Sequence, residues 1–154
     1  MSEKKYEELI RKLVQKSFGQ IERCIIASED GLPLITHGNP DEINEILAAI
    51  ASPLFAATQD VIKNLEDTEI VKIDVELGNS KHLIIAPLHD NVIAILSSQR
   101  PNLGLIYYLL EQLPSKLETN DKEVKREPKE KEIKENKEEK KEIQERRESF
   151  SSSY

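Results

Sequence analysis

The stretch between Glu45 and Asp60 constrains the fold most, because residues 46–59 carry no charge at all. It lies in a predicted helix of residues 39–65, with Asn39 as N-cap, Pro40 at the first helical position and a bend at Pro53. Two apolar stripes run along this helix. One is made of large residues, namely Ile43, Ile46, Leu47, Ile50, Leu54, Val61 and Leu65, and the other mostly of small ones, namely Ala48, Ala51, Ser52, Phe55 and Ile62. A surface helix buries one stripe, so two stripes predict cover on two sides.

A domain of this size has few elements left to cover the second side of the helix. Small side chains such as Ala48, Ala51 and Ser52 would let another helix approach closely, so the second stripe, with Phe55 and Ile62, is predicted to form an interface with a second copy or a partner. The alternative is a helix wrapped entirely by the chain's own sheet and terminal helices.

Apolar periodicity predicts two further helices and five strands around this central helix. The helices are residues 3–16 and residues 103–117, with Pro114 near the last turn of the second; the strands are residues 21–28, 32–36, 71–77, 82–88 and 92–96. Pro33 places the second strand at a sheet edge, and the uniformly apolar fifth strand is expected to be central. The predicted fold is α+β, a five-stranded antiparallel sheet with the long helix on one face and the terminal helices on the other.

Charge divides the 154 residues into an acidic domain and a tail. Residues 1–118 hold 11 Lys and Arg against 18 Asp and Glu, net −7, whereas residues 119–154 hold 11 of each. The tail is densely charged and poor in apolar residues, which predicts either disorder or a lone helix. An acidic domain does not favour binding to a nucleic-acid backbone, which requires a basic face.

The cysteine content and the hydropathy of the sequence predict the cellular compartment of the protein. Cys24 is the single cysteine and fits a reducing compartment. The first residues show no apolar signal core, and no uncharged run reaches membrane-spanning length. A cytoplasmic protein without direct membrane insertion is therefore expected.

The search for catalytic or ligand-binding motifs predicts a protein that is not an enzyme and that holds no metal or cofactor. The five glycines are isolated, so no phosphate-binding loop is formed, and no nucleophile or metal-ligand spacing occurs among the three histidines and Cys24. Cys24 is interpreted as a small core or edge residue. Arg100, before Pro101, is the one arginine placed to reach a nucleotide that is bound by a partner protein. The favoured interpretation is that Arg100 is an ordinary solvated loop residue.

The segment Cys24-Ile-Ile-Ala-Ser-Glu-Asp-Gly-Leu-Pro-Leu-Ile35 resembles the first hairpin of roadblock / dynein-light-chain domains, in which an apolar strand runs through Asp-Gly into a second strand. The resemblance continues through the Ala-rich helix, the strand of residues 69–77, the hairpin of residues 81–96 and Asn102-Leu-Gly-Leu105. It covers residues 1–118 and is closer to the prokaryotic stand-alone proteins, similar to the gliding-motility GTPase-activating protein, than to dynein subunits.

The resemblance implies a homodimer whose sheets and middle helices meet across a two-fold axis, which adds Val71 and Ile73 to the expected interface. It also implies a Ras-like small GTPase as partner, bound by a scaffold or regulator that donates no catalytic residue. Asn44, Glu45, Gln59 and Lys63 are the candidates for facing the GTPase. The alternative function is a structural adaptor without a nucleotide-dependent partner, and a small-molecule sensor of related architecture is a weaker third.

Overall fold

The computed structural model describes residues 2–114. The predicted boundary at residue 118 and the tail of residues 119–154 lie outside the described residues and stay predictions. The described part has three helices and five strands in the predicted order: α1 (Glu3–Lys16), β1 (Ile21–Ala27), β2 (Pro33–His37), α2 (Glu42–Glu66), β3 (Ile73–Glu76), β4 (His82–Leu88), β5 (Asn91–Ser97) and α3 (Leu103–Glu111). The predicted α+β class is confirmed.

All five strands form one antiparallel sheet with the order β2-β1-β5-β4-β3. The sheet has β5 at its centre and β2, which begins with Pro33, at one edge, as the sequence predicted. Register partners form rows of apolar residues across the sheet, and one such row is Ile25, Ala94, Ile85 and Ile73. Because side chains alternate along a strand, successive rows face opposite sides and each side receives its own core.

The two faces of the sheet are covered as the sequence predicted. Side chains of α1 and α3, among them Ile10, Leu13 and Ile106, pack with Cys24, Ile84 and Ile95 on one face. On the other face, Ala48 and Ala51 of α2 pack with Ile25, Ile85 and Ala94. The described residues therefore form three layers, in which α2 is the single described helix on its face of the sheet.

The start of α2 differs from the prediction, since Asp41 rather than Asn39 is the N-cap. The Asp41 carboxylate accepts a hydrogen bond from the backbone N–H of Ile43 and forms two 2.7 Å contacts with the Arg23 guanidinium of β1. A carboxylate that is held by a bidentate arginine and also accepts from the first turn is a stronger cap than a free amide. The ion pair therefore fixes Asp41 as the N-cap and holds the start of α2 against β1.

The β1–β2 turn lies directly against α2. Gly31 has φ +82°, and a Cβ added there would lie 3.3 Å from the Ala49 Cα. Ser52 donates a 2.7 Å hydrogen bond to the Ser28 carbonyl of the same turn. Glycine in the turn and small residues on the helix are therefore both required for this close approach.

Candidate functional site: the outer face of the middle helix

The outer face of α2 is a surface of large apolar side chains exposed to solvent. Ile46 and Ile50 keep more than half of their surface exposed, at 55% and 52%. The members of this apolar stripe are Ile43, Ile46, Ile50, Leu54, Val61 and Leu65. They recur at a spacing that brings them onto one side of the helix. A continuous stripe of this kind on a monomer marks an interaction surface.

The position of the second stripe corrects the predicted interface. Ala48 and Ala51 have no exposed surface and Ser52 has 4%, because all three pack against the chain's own sheet. A side chain with no accessible surface has nothing left to bury in a partner, so these three residues cannot form the interface predicted for them. Phe55 is half-buried and packs against the same core, and Ile62 is half-buried as well. Of the predicted stripe of large residues, Leu47 is half-buried against the same core. The other six members are the ones left without cover in the described chain.

The reason for this reversal is steric. The face of the sheet below α2 carries branched side chains such as Ile25 and Ile85, and close contact between that face and a helix requires small residues on the helix. Periodicity identifies the two stripes but does not say which of them faces the sheet.

Strand β3 extends the exposed apolar surface at the sheet edge. Ile73 is half-buried in the core beneath α2, and Val75, two residues on, lies on the same face of the sheet with 38% of its surface exposed. Val71 precedes the strand and is 72% exposed. Among the described strands, β3 has a neighbour only on the β4 side. Val71 and Ile73 therefore lie at an open edge, where backbone groups can pair with another strand.

A polar cluster that the sequence did not reveal holds β3 in place from the opposite face. The Asp74 carboxylate accepts a hydrogen bond from the Tyr107 hydroxyl of α3 and lies 2.7 Å from Nδ1 of His82 on β4. The hydrogen bond to Asp74 and burial raise the pKa of Tyr107 to about 12. Lys72 places its ammonium 4.3 Å from the centre of the Tyr107 ring. Asp74 is eight residues from His82 and 33 from Tyr107. The pairing of β3 with β4 and the packing of α3 on the sheet bring the four residues together.

The four residues predicted to face a GTPase separate into two pairs. Asn44 is buried, where its amide donates to the Asn39 carbonyl and its side-chain oxygen accepts from Arg23. Gln59 bonds to the Thr68 carbonyl and the Ile70 N–H, and so holds the segment between α2 and β3. Both side chains serve the fold, and the burial of Asn44 contradicts its predicted role.

Glu45 and Lys63 form the other pair and are exposed. They are separated by 18 residues, which is five helical turns, so they lie in line on the side of α2 away from the apolar stripe.

The groups considered for chemistry occupy structural positions. Cys24 is fully buried, which raises the pKa of its thiol, and it is a core residue as predicted. Arg100 is exposed with φ +49°, and its N–H donates to the Ser80 carbonyl. Within residues 2–114, no three side chains of His, Cys, Asp and Glu come together as metal ligands.

Helix α2 also has the length and mean hydropathy of a helix that can cross a membrane. Length and composition alone do not distinguish such a helix from the central helix of a globular domain, and α2 has one side packed on the sheet. Its apolar character is therefore divided between a face that contacts the sheet and a face that is uncovered.

A comparison with protein families matches residues 6–97 to the Roadblock/LC7 domain. The match includes β1 to β5 and the whole of α2, which is well over half of the chain. The chain belongs to the Roadblock/LC7 family. A search of curated proteins finds no significant match.

Solved structures share this roadblock fold at low sequence identity. The Roadblock/LC7 domain from Streptomyces avermitilis is 23% identical, with a TM-score of 0.61 over 68% of this chain and 87% of that one. Myxococcus xanthus MglB is 16% identical, with a TM-score of 0.62 over 70% and 87% of the two chains. The gliding protein MglB from Thermus thermophilus is 14% identical, with a TM-score of 0.59 over 69% and 80%. The resemblance drawn from the sequence is thus confirmed for family and fold.

Proposed function

We propose that the protein is a homodimeric, non-enzymatic regulator or scaffold that binds a Ras-like small GTPase in the cytoplasm. The observation that carries the proposal is the uncovered apolar stripe of α2 beside the open edge of β3. Membership in the Roadblock/LC7 family supports it, since the resemblance to this family implies dimers that serve as platforms for small GTPases.

The proposed dimer buries the stripe of α2 against the same stripe of a second copy. A two-fold interface brings one patch onto itself, and a row of aliphatic side chains is self-complementary in this way. Ile46, Ile50 and Leu54 lie in the middle of the stripe, where burial would exclude water most completely. Val71 and Val75 would extend the contact at the sheet edge.

The GTPase is proposed to bind on the side of α2 away from this interface, where Glu45 and Lys63 are exposed. A partner that acts through a GTPase switch must bind its two nucleotide states with different affinity, because only a difference in affinity shifts a two-state equilibrium. The dimer would act by holding one conformation of the switch segments and would donate no side chain to the reaction.

The experiment measures binding of the full chain to the Ras-like GTPases of its source organism, each loaded with GDP or a non-hydrolysable GTP analogue. We expect tighter binding to one nucleotide state. We also expect the double variant Glu45→Lys, Lys63→Glu, in which the two charges are swapped, to bind less tightly than the original chain. Equal affinity for both states would favour the structural adaptor over the regulator.

Single-turnover hydrolysis tests whether the chain donates an arginine. An arginine finger contributes about a thousandfold or more where one is used. Arg100→Ala is expected to leave any stimulation of GTP hydrolysis within a few-fold of the original protein. A collapse of stimulation in this variant would show that Arg100 is a catalytic residue and that the proposed mechanism is wrong.

A further inference from the structure

A groove lies between α1 and the C-terminal end of α3, with the residues that follow that helix, on the face of the sheet opposite α2. It encloses about 410 Å³. The backbones of the two helices come close to each other at few points. The apolar lining of the space between them consists of Leu9 and Leu13 of α1 and of Leu109 and Leu113. Leu9 and Leu113 are only partly buried, so apolar surface remains open at the bottom of the groove.

One wall of the groove carries a row of positive charges. Lys5, Lys12 and Lys16 line it, and spacings of seven and eleven residues place them within about 40° of one another around α1, over about 16 Å of helix. Among residues 2–114, Glu8 is the one acidic side chain that lines the groove, and it forms a 3.0 Å ion pair with Lys12.

This row contrasts with the charge of the domain as a whole. Residues 2–114 hold 10 basic and 17 acidic side chains, and five of the basic ones are on α1. The groove is therefore a local basic site with an apolar floor on an acidic protein.

We propose that this groove docks an amphipathic helix of a partner protein, with its apolar side on the leucine floor and acidic side chains toward the lysine row. Helices bind in this way where an apolar groove meets an apolar stripe. Three cations spread over about 16 Å match three turns of a helix with acidic residues at the same spacing. A small ligand with a single carboxylate would engage one of the three lysines. The groove and the apolar stripe of α2 are on opposite faces of the sheet, so the docking site is independent of the proposed dimer and GTPase contacts.

The probe is a fluorescein-labelled synthetic peptide of about 18 residues, with a leucine stripe and glutamates seven and eleven residues apart on one flank. Its anisotropy is titrated with the full chain. One control peptide has the same composition in scrambled order, and a second has lysine in place of every glutamate. We expect saturable binding of the first peptide alone, weakened by added salt because the lysine row is exposed.

Two matched protein variants localise the binding. Lys5→Glu reverses a charge of the row, whereas Lys4→Glu makes the same change about 100° around the helix, outside the groove. We expect Lys5→Glu to weaken binding about five- to tenfold, as loss of one charged contact at a rim does, and Lys4→Glu to change it less than twofold. Leu113→Glu, beyond the end of α3, is expected to abolish binding while the circular dichroism spectrum is unchanged.

The alternative results overturn the proposal. Equal binding of the scrambled peptide, or equal weakening by both lysine variants, would mean that no defined groove is used. Saturable binding of dodecanoate with the same Lys5 dependence and no binding of the peptide would identify a small anionic amphiphile as the ligand. Binding to phosphatidylglycerol vesicles without peptide binding would identify a lipid surface.

Discussion

Gly31 is the residue on which the approach of the β1–β2 turn to α2 depends. A side chain there meets two costs, a left-handed backbone at φ +82° and a Cβ only 3.3 Å from the Ala49 Cα. Gly19 has a similar φ of +79° but nothing within 4 Å of an added Cβ. We expect Gly19→Ala to lower the free energy of unfolding by about 1 kcal/mol, from the backbone alone.

Gly31→Ala should cost more than Gly19→Ala, about 2 kcal/mol or more, because the helix must also move away. Urea unfolding of the two variants measures the difference. Equal costs would mean that the turn and the helix are not in close contact.

Asp41 and Arg23 make the start of α2 sensitive to acid. Hydrogen bonds and charge from Arg23 hold the pKa of the Asp41 carboxyl below its usual range. A carboxylate with a lowered pKa contributes stability that is full above its unfolded pKa of about 4 and is lost as the pH falls through the folded value. Asp41→Asn keeps a side chain that can cap the helix and removes only the charge.

The thermal midpoint of Asp41→Asn should accordingly be lower than that of the original chain at neutral pH, and the gap should narrow as the pH falls below about 4. Asp60→Asn removes one carboxylate from the exposed side of the same helix and is the control for the change in net charge. A constant gap between Asp41→Asn and the original chain down to about pH 2 would show that the ion pair does not contribute.

At the scale of elements, Ser52 is the polar link between α2 and the β1–β2 turn. Its hydroxyl is buried and donates to the Ser28 carbonyl, so Ser52→Ala leaves that acceptor without its partner. We expect a loss of about 1–2 kcal/mol in the free energy of unfolding. Thr58→Ala removes a hydroxyl of the same helix that bonds to the Leu54 carbonyl within α2, and it should cost about 0.5 kcal/mol or less. Similar losses in both variants would contradict the role assigned to Ser52.

Element order, the edge position of β2 and the central position of β5 could be predicted from the sequence because they depend on local patterns, whereas the pairing of β1 with β5 and the edge position of β3 were not predicted. Pro33 marks an edge, and the apolar run of β5 marks the centre, without any knowledge of the partner strands. The cap at Asp41 could not be predicted, because Arg23 is 18 residues away and only sheet formation brings it to the helix.

The sequence predicted the two stripes of the candidate site but not which stripe is exposed, because that depends on how α2 packs against the sheet. The sequence identified two stripes on α2 and the need for cover on two sides. It assigned the outer face to Ala48, Ala51 and Ser52, whereas their small size is what allows α2 to lie close to the branched side chains of its own sheet. Asn44 and Gln59 were likewise assigned to a partner from their polarity, although their hydrogen bonds lie within the chain.

At the scale of the whole molecule, the two faces of the sheet present different surfaces. The α2 face carries the apolar stripe, and the α1–α3 face carries the basic groove. A dimer formed through α2 would leave the groove of each copy free. Self-association and helix docking can therefore be separated by variants on opposite faces.

The central claim is that the apolar stripe of α2 joins two copies of the chain, and sedimentation equilibrium tests it most directly. Ile50→Glu places a charge in the middle of the stripe, where burial without a partner costs several kcal/mol. Ala56→Glu adds the same charge at an exposed position about 120° away around the helix. At about 20 µM, we predict a dimer for the original chain and for Ala56→Glu, and a folded monomer for Ile50→Glu. A monomeric original chain, or an Ile50→Glu variant that stays dimeric, would contradict the claim.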